Sequence, residues 1–390
     1  MACGLCHVAC AMWPVVCGLC PEALATLALG AARDAAFNDN RGEQTVGKKA
    51  LPDAQSARMV HAGARRRALS QMGALGATLA CPAAAIGQAA WPNRPVTVVC
   101  PWGAGGGTDA TARIVASVLE KNLKQPFNVV NRTGGSGVVG HSAIALAPPD
   151  GYTIGMITVE ITMMHHQGLT QLDPSSYTPL ALMNIDPPGV QVASSSPYKT
   201  IRALADAIKA APPGKLKASG TGQGGIWHLA LVGWLQAMGL SANHVAWVPS
   251  NGAAPAMQDL AAGGVDLVTC SVPEAKAMLD AGKALSLATM ATQRNPQFKD
   301  VPTLNETLGI NYSVGAWRGL AAPKGLPRDI ADRLTAELRK VYDAAEFQDF
   351  MRNRGFGTIW ADQDGFAKFM AEGDKAMGTA MQAAGLAKKA

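Results

Sequence analysis

The sequence lacks both long apolar runs and a set of cysteines able to crosslink a fold. After residue 90 no segment offers about 18 consecutive apolar residues, the length that a membrane-spanning helix needs. Only two of the eight cysteines, Cys100 and Cys270, follow residue 90, and the sequence leaves open whether they meet. We therefore predict a chain without a spanning helix that is stabilised by packing rather than by disulfides.

Clustered positive charge is also missing. The formal net charge is +6, but after residue 90 there are 26 Lys and Arg against 23 Asp and Glu, with no basic run. A nucleic-acid-binding protein concentrates its basic residues on one face or along one stripe. This balance argues against nucleic acid as a partner.

Common catalytic signatures are absent as well. Residues after 90 contain no G-x-S-x-G elbow, no H-E-x-x-H motif and no zinc-ligand quartet. Neither remaining cysteine has an obvious activating partner. An enzyme that acts on an organic acid is therefore the less favoured alternative.

The N-terminal region has the order of features found in an export signal. A basic ARRR segment precedes a short apolar segment and the small-residue stretch AAAIGQAA. We predict a signal peptide over 59–90, cleaved near Ala89 or Ala90, and export to the periplasm by either the general or the twin-arginine route. Residues 1–58 are predicted to be a non-native extension that precedes the true start at Met59.

Short β-rich runs alternate with helical patterns from Trp91 onward, which is typical of α/β folds with mainly parallel sheets. Strands are predicted over 96–100, 127–131, 152–158, 190–194, 215–219, 244–248, 265–270 and 284–290. Helices are predicted over 109–123, 200–210, 226–238, 253–262 and 327–342. At the usual size of about 150 residues per domain, 390 residues have room for about two domains.

A glycine-rich turn, PWGAGGGTDATAR, follows the first predicted strand and leads into the first predicted helix. Glycines let the backbone approach a ligand closely, and the free N–H groups at a helix N-terminus favour an anion. The turn lacks the Lys of a phosphate-binding Walker loop and breaks the G-x-G-x-x-G pattern of a dinucleotide turn. A small anion such as a carboxylate is the best physical fit.

A second turn, SGTGQGGIWH, repeats this arrangement between a strand and a helix. Two such turns, one in each half of the chain, predict two lobes that present anion-holding edges to a shared cleft. The alternative interpretation is that the glycines only allow tight strand-to-helix turns.

Several motifs in a fixed order together carry a family resemblance. The segments WPNRPVTVVCPWGAGGGTDATAR, VVNRTGGSGVVG, PPDGYTIG, GKLKASGTGQGG, AAPAMQDLAAGGVDL, DVPTLNE and GAWRGLAAPKGLP resemble the substrate-binding receptors of tripartite tricarboxylate transporters, also called Bug-type receptors. The resemblance extends from Trp91 almost to the C-terminus.

This resemblance implies a two-lobed, type II (Venus-flytrap) periplasmic binding protein that closes on a small carboxylate-bearing solute. Lobe 1 would comprise 91–191 plus 317–390, and lobe 2 would comprise 192–316. The receptor, expected to be a monomer without a cofactor, would deliver its solute to one large and one small membrane subunit. A solute-sensing subunit of a signalling system is the alternative role, and the identity of the ligand stays open.

The resemblance also implies ligand contacts from both glycine turns. The expected ligand-binding residues are Trp102, Gly105, Gly106, Gly107, Thr108, Asp109, Thr221, Gly222, Gln223, Gly224, Gly225, His228, Ser250 and Trp317, together with Glu160 and Arg318. Two further tryptophans, Trp227 and Trp247, are expected to be core residues rather than ligand contacts.

Four positions depart from the family pattern. Glu160 follows the third strand, Ser250 replaces an aromatic residue, Arg318 replaces an apolar one, and Glu274 replaces a small polar one. We hypothesise that Arg318 supplements the amide groups and that Glu160 meets a cationic or hydroxyl group of the ligand. Alternatively, Glu160 and Arg318 satisfy each other, because a buried charge must be paired.

The adjacent pair His165 and His166 raises the possibility of a metal site. Neighbouring residues on a strand point to opposite faces, and no carboxylate or cysteine is placed to complete a ligand set. The sequence therefore predicts no metal site.

Overall fold

Two mixed β-sheets flanked by helices carry residues 91–388, the part of the chain that this computed structural model describes. The predicted extension over 1–58 and the signal peptide over 59–90 lie outside the described residues. The strands are β1 (Val96–Cys100), β2 (Phe127–Asn131), β3 (Thr153–Thr158), β4 (Tyr177–Asp186), β5 (Gly189–Ala193), β6 (Lys217–Ser219), β7 (Ala246–Trp247), β8 (Leu267–Cys270), β9 (Ala284–Thr289), β10 (Ala316–Pro323) and β11 (Thr358–Ala361).

Ten α-helices lie in the same described part of the chain. They are α1 (Gly107–Leu123), α2 (Val138–Ala145), α3 (Ile201–Ala210), α4 (Ile226–Ala237), α5 (Ala253–Ala261), α6 (Val272–Asp280), α7 (Leu304–Leu308), α8 (Arg328–Asp343), α9 (Ala345–Arg354) and α10 (Gln363–Ala383). None of the helices within 91–388 combines the length and the apolar character needed to cross a bilayer.

The first sheet has the strand order β11-β4-β10-β3-β1-β2. Strand β1 pairs in parallel with β2 and β3, whereas β10 lies antiparallel between β3 and β4. β-branched residues such as Val96, Val98 and Val99 suit a buried pleated surface, and all three are buried. Leu119 of α1 and Leu334 of α8 belong to the core on one face of this sheet.

The second sheet has the strand order β7-β6-β8-β5-β9. Strand β6 pairs in parallel with β7 and β8, whereas β5 is antiparallel to β8 and β9. Helix α4 packs its bulky residues Trp227 and Trp234 into the core of this half, and both are fully buried.

Both sheets are mixed, so the expectation of mainly parallel sheets is wrong. Two of the antiparallel members, β5 and β10, are the first strands that the chain forms after it crosses from the other sheet, whereas the third, β11, follows helix α9. A strand that arrives from the other sheet is not the product of a right-handed β-α-β crossover, and it is free to insert antiparallel.

The chain passes from the first sheet to the second between Asp186, the end of β4, and Gly189, the start of β5. It returns when β10 begins at Ala316. The two-sheet α/β class is confirmed, while the lobe boundaries at 191/192 and 316/317 stay predictions. Cys100 and Cys270, whose pairing the sequence left open, are buried free thiols in β1 and β8 of different sheets.

Candidate functional site

The first glycine turn connects β1 to α1 without a side-chain cap. Gly106 holds the N-cap position in an extended conformation, and its lack of a side chain leaves the first helical N–H groups to other acceptors. The Gly107 N–H donates to Glu274 Oε1 at 3.1 Å. A Cβ atom at Gly107 would lie 2.7 Å from Arg318 Nη2, so only glycine fits this close approach.

Asp109, which is predicted to bind ligand, makes hydrogen bonds that stabilise the turn. Its carboxylate accepts from the Gly105 N–H at 3.0 Å, from Asn131 Nδ2 at 2.9 Å and from Arg113 Nε at 2.9 Å. Burial alone would raise the pKa of Asp109, but these hydrogen bonds outweigh it and lower the pKa. Asp109 and Gly105 therefore stabilise the conformation of the turn by bonding to each other, and neither lines the cavity described below.

The second glycine turn, between β6 and α4, has a similar internal support in His228. Its Nδ1 accepts from the Gly224 N–H at 3.0 Å, and its ring stacks on Trp247 with 4.6 Å between centroids. Burial lowers the pKa of His228 to about 4, so the imidazole is neutral at pH 7. Ser250 is likewise used internally, since its hydroxyl donates to the Gly252 carbonyl at 3.1 Å.

Glu160 lies in the short 3₁₀ turn that follows β3, and its carboxyl group reaches the second glycine turn. Oε1 accepts from the Ile226 N–H at the start of α4 at 3.2 Å, and Oε2 accepts from Thr158 Oγ1 at 2.5 Å. The residue is only 3% exposed. Burial raises the pKa of Glu160 despite the opposing hydrogen bonds from Thr158 and Ile226.

Arg318 lies on β10 in the middle of the first sheet and is 2% exposed. Nη1 donates to Asp186 Oδ2 at 2.6 Å and to Asn184 Oδ1, Nη2 donates to Glu274 Oε1 at 3.0 Å, and Nε donates to Thr108 Oγ1 at 3.0 Å. These contacts use four of the five N–H groups of the guanidinium.

Charge pairing keeps Arg318 ionised. Burial opposes its charge, but Glu274 and Asp186 outweigh that effect and raise the pKa of Arg318. Glu160 is not its hydrogen-bonding partner, so the alternative in which Glu160 and Arg318 satisfy each other is wrong. Arg318 is instead paired with two carboxylates.

One small cavity lies where these groups converge. Its volume is about 20 Å³, which is room for about one water molecule. The expected ligand-binding residues that line the cavity are Trp102, Gly106, Gly107, Thr108, Glu160, Thr221, Trp317 and Arg318. The predicted residues outside its lining are Gly105, Asp109, Gly222, Gln223, Gly224, Gly225, His228 and Ser250.

The cavity also has lining residues that were not among the expected ligand contacts. These are Gly103, Thr158, Val159, Ile226, Trp227, Gly252, Ala253, Glu274 and Ala316. Glu274 had a sequence signal, namely its departure from the family pattern. Trp227 was expected to be core, and it is both fully buried and part of the lining.

Two polar atoms of the lining are buried without a hydrogen-bond partner. They are Trp317 Nε1 and Thr221 Oγ1. By contrast, Trp102 Nε1 donates to Thr158 Oγ1 at 3.2 Å. Because buried polar groups are nearly always hydrogen-bonded, the two unpartnered groups mark positions where a bound molecule would supply a partner.

Segments from the two sheets meet closely around the cavity. The Gly103 N–H donates to the Asn251 carbonyl at 2.8 Å. A Cβ atom on Gly222 would lie 2.5 Å from the Cα atom of Ser136, so glycine is needed where these two turns touch. The halves of the site are therefore closed on each other.

The histidine pair has a different setting from the one predicted. Residues 163–168 form a turn rather than a strand, so His165 and His166 do not point to opposite faces. Both rings face Asp374 of α10, with 3.0 Å from His165 Nε2 to Asp374 Oδ1 and 3.4 Å from His166 Nε2 to the same oxygen. The expectation that no carboxylate accompanies the pair is wrong.

Comparison with known proteins matches most of the described chain. The family model described as tripartite tricarboxylate transporter family receptor matches residues 111–386. The solved structure of the periplasmic binding protein BugD is 28% identical, with a TM-score of 0.70 over 77% of this chain and 100% of that chain. The predicted fold class, a two-lobed periplasmic binding protein with an interlobe cleft, is confirmed by this likeness.

Two further similar structures contain carboxylates. MatC from Rhodopseudomonas palustris with bound malate is 26% identical, with a TM-score of 0.68 over 74% of this chain and 99% of that chain. A second R. palustris protein, with adipate, is 27% identical, with a TM-score of 0.72 over 76% of this chain and 99% of that chain.

Proposed function

The chain belongs to the tripartite tricarboxylate transporter receptor family, and from this membership we propose that it binds a small carboxylate-bearing solute between its two glycine turns. The receptor then delivers that solute to the large and small membrane subunits of a tripartite transporter. The family is one of solute-binding receptors, so the enzyme alternative is set aside.

The observation that carries this proposal is the convergence of both glycine turns on one cavity. The N-termini of α1 and α4 reach it from different sheets, and Arg318 lies in its wall. Helix N-termini and a guanidinium both favour a negatively charged guest. Trp317 Nε1–H and the Thr221 hydroxyl supply two further donors that lack partners within the chain.

Binding requires the two sheet-bearing halves to separate and close again. A cavity of about 20 Å³ is too small for an organic acid with several carbon atoms. Opening at the crossings near Pro187 and Ala316 would expose the glycine turns, and closure would then exclude water from the carboxylate. Closure on a ligand is also what presents a distinct surface to a transporter.

The proposed location is the periplasm and the proposed state is a monomer. The predicted signal peptide and the family both support export, and the similar protein BugD is a periplasmic binding protein. The transporter subunits are inferred from the family, since their docking surface is not defined by any described contact.

A thermal-shift screen of organic acids on the purified protein tests the proposal. A true ligand at a hundredfold excess over its Kd should stabilise the native state by about 2.7 kcal/mol. Native mass spectrometry of protein released gently from the periplasm should show a carboxylate-containing adduct. Failure of every mono- and dicarboxylate in both measurements would contradict the proposal.

A gene deletion separates transport from the alternative sensing role. Loss of solute uptake in the deletion strain supports delivery to a transporter. Loss of gene induction with uptake intact would instead assign the protein to a signalling system.

A further inference from the structure

The N-termini of the two site helices are already bound by carboxyl groups of the chain itself. Glu274 Oε1 accepts from the Gly107 N–H of α1, and Glu160 Oε1 accepts from the Ile226 N–H of α4. Each half supplies the glutamate that binds the helix of the other half. Glu274 comes from the half that contains the second sheet, and Glu160 follows β3 of the first sheet. Neither helix has a side-chain cap from its own N-cap residue.

Acidic side chains outnumber basic ones in the lining of the cavity. Among the described lining residues, Arg318 is the one permanently cationic side chain, whereas Glu160 and Glu274 are both carboxylic. Asp186, just outside the lining, also pairs with Arg318 at 2.6 Å. Arg318 is thus already paired with two carboxylates, those of Asp186 and Glu274, before any ligand enters.

A dicarboxylate would add two carboxylates to a site whose one guanidinium, that of Arg318, is already paired with two. Juxtaposed like charges in a desolvated site are strongly unfavourable and serve to reject the wrong ligand. A ligand ammonium group has the opposite effect, because it offers Glu160 and Glu274 a cationic hydrogen-bond donor. The ligand's single carboxylate then accepts from the unpartnered Trp317 Nε1–H and Thr221 hydroxyl.

We propose that Glu160 and Glu274 determine specificity, so that the receptor selects solutes with one carboxylate and one protonated amine over dicarboxylates. This inference rests on the proposed function, since it concerns the same cavity. It separates this chain from its similar structures with malate and adipate. The two resident glutamates take the place that a second ligand carboxylate would occupy at the helix N-termini.

Matched ligand pairs test the inference by isothermal titration calorimetry on the wild-type protein. In each pair, succinate with 4-aminobutanoate and adipate with 6-aminohexanoate, a terminal carboxylate is exchanged for a terminal ammonium group. We expect the amino acid of at least one pair to bind about tenfold or more tightly than its dicarboxylate. Tighter binding of the dicarboxylate in both pairs overturns the inference but leaves the proposed function intact.

Titration of a Glu274 variant separates the role of this residue from the proposed function. Glu274→Gln should lower the preference for the amino acid by about tenfold, whereas the exposed control Glu372→Gln should leave it unchanged. An unchanged preference in Glu274→Gln overturns the role of Glu274. If no member of either pair binds, while another carboxylate stabilises the protein in the thermal-shift screen, only the specificity inference fails.

The turn at residues 163–168 brings two histidines close to an aspartate. His165, His166 and Asp374 each offer one ligand atom, and these atoms all lie within 4.8 Å of one another. Asp374 Oδ1 is a buried polar atom without a hydrogen-bond partner, although it lies 3.0 Å from His165 Nε2, and His166 Nε2 also lies 3.2 Å from the Asp374 backbone carbonyl oxygen. Ligand atoms around a tetrahedral zinc ion are separated by about 3.3 Å, close to the two measured separations.

The geometry points to a divalent transition-metal site formed by these three residues. Two imidazoles and one carboxylate suit Zn²⁺, and the partial exposure of all three side chains leaves a coordination position for water. A bound ion would tie the 163–168 turn to α10. The same turn contacts the second glycine turn, because Gln167 Nε2 donates to the Gly224 carbonyl at 3.2 Å.

Zinc titration of the metal-stripped protein against a competing chelator tests this site. We expect one Zn²⁺ per chain in the wild type and an affinity at least about tenfold weaker in His165→Ala and in Asp374→Asn. The control is His244→Ala, since His244 contacts the Ile208 carbonyl instead of a carboxylate. Equal zinc affinity in wild type and His165→Ala, or no stoichiometric binding at all, overturns the metal site.

Discussion

The carboxylate of Glu274 sits on the backbone N–H of Gly107 at 3.1 Å, although 167 positions separate the two residues in the chain. The same oxygen accepts from Arg318 Nη2 at 3.0 Å. Glu274 thus joins the N-terminus of α1, the central strand of the first sheet and helix α6 of the second half.

The first prediction concerns the buried charge of Arg318. Arg318→Met would leave Asp186 and Glu274 buried without a cation, so we expect the free energy of unfolding to fall by about 3–5 kcal/mol. Urea denaturation measures this loss. The exposed control Arg328→Met should change stability by less than about 0.5 kcal/mol.

A compensating variant checks the cause of that loss. Adding Asp186→Asn and Glu274→Gln to Arg318→Met removes the unpaired carboxylates, so most of the lost stability should return. If the triple variant is as unstable as the single one, the loss comes from packing around the arginine rather than from unpaired charge.

The second prediction is a pH dependence that comes from Glu160. Burial raises its pKa in the native state, so the folded protein retains this proton at pH values where the unfolded chain releases it. The contribution is complete below the unfolded pKa and is lost as the pH rises through the raised native pKa. Glu160→Gln stays neutral, so its stability relative to wild type should rise as the pH increases above the unfolded pKa of about 4.3.

Glu306 provides a control of opposite sign. The Thr303 N–H in a capping box, followed by Arg294, lowers the pKa of Glu306, which stabilises the fold above the unfolded pKa. The stability of Glu306→Gln relative to wild type should therefore fall as the pH rises through the acid range to the unfolded pKa of about 4.3, and should stay level above it. Denaturation curves at a series of pH values measure both slopes, and slopes of equal sign would contradict the assignment.

The sequence was sufficient to predict those parts of the site whose conformation depends on residues close together in the chain. Each glycine turn stands between a β-rich run and a helical pattern, so Gly106 and Gly107 could be placed near a helix N-terminus and Thr221 in a turn that leads into a helix, and all three line the cavity. Their positions follow from backbone geometry within a few residues. The side chains that support the turns, Asp109 and His228, are predicted to contact ligand, whereas their hydrogen bonds within the chain could not be predicted from the sequence.

Contacts between distant segments could not be predicted from the sequence. Asn184 and Asp186 hold Arg318 from β4, a strand that the sequence patterns did not predict, and nothing local links them to residue 318. The prediction that His165 and His166 point to opposite faces is wrong because it assumes a strand. The segment instead continues from a 3₁₀ turn into further turns. Partner choice in both cases is set by how the two sheets pack.

The third prediction tests closure at Gly222. A Cβ atom there would lie 2.5 Å from the Ser136 Cα, so Gly222→Ala must push the two turns apart. We expect ligand affinity to fall by about tenfold, with little change in the stability of either half. The control is Gly373→Ala in α10, where the nearest neighbour is Thr162 Cγ2 at 3.9 Å and affinity should be unchanged. Equal affinities for the two variants would show that these turns do not need to touch in the bound state.

The fourth prediction assigns the unpartnered indole N–H of Trp317 to the ligand. Trp317→Phe keeps most of the ring packing against Phe366, whose centroid lies 5.4 Å away, but removes Nε1. Because Nε1 has no partner within the chain, its loss should weaken binding by about 1 kcal/mol, or roughly fivefold, while costing little stability. Trp234→Phe is the matched control, since Trp234 Nε1 is also buried and unpartnered but lies outside the cavity lining. Calorimetric titration of both variants with the same ligand separates the two cases. Equal affinity in Trp317→Phe and Trp234→Phe would mean that the ligand carboxylate is held elsewhere, at the glycine turns or at the remaining N–H of Arg318.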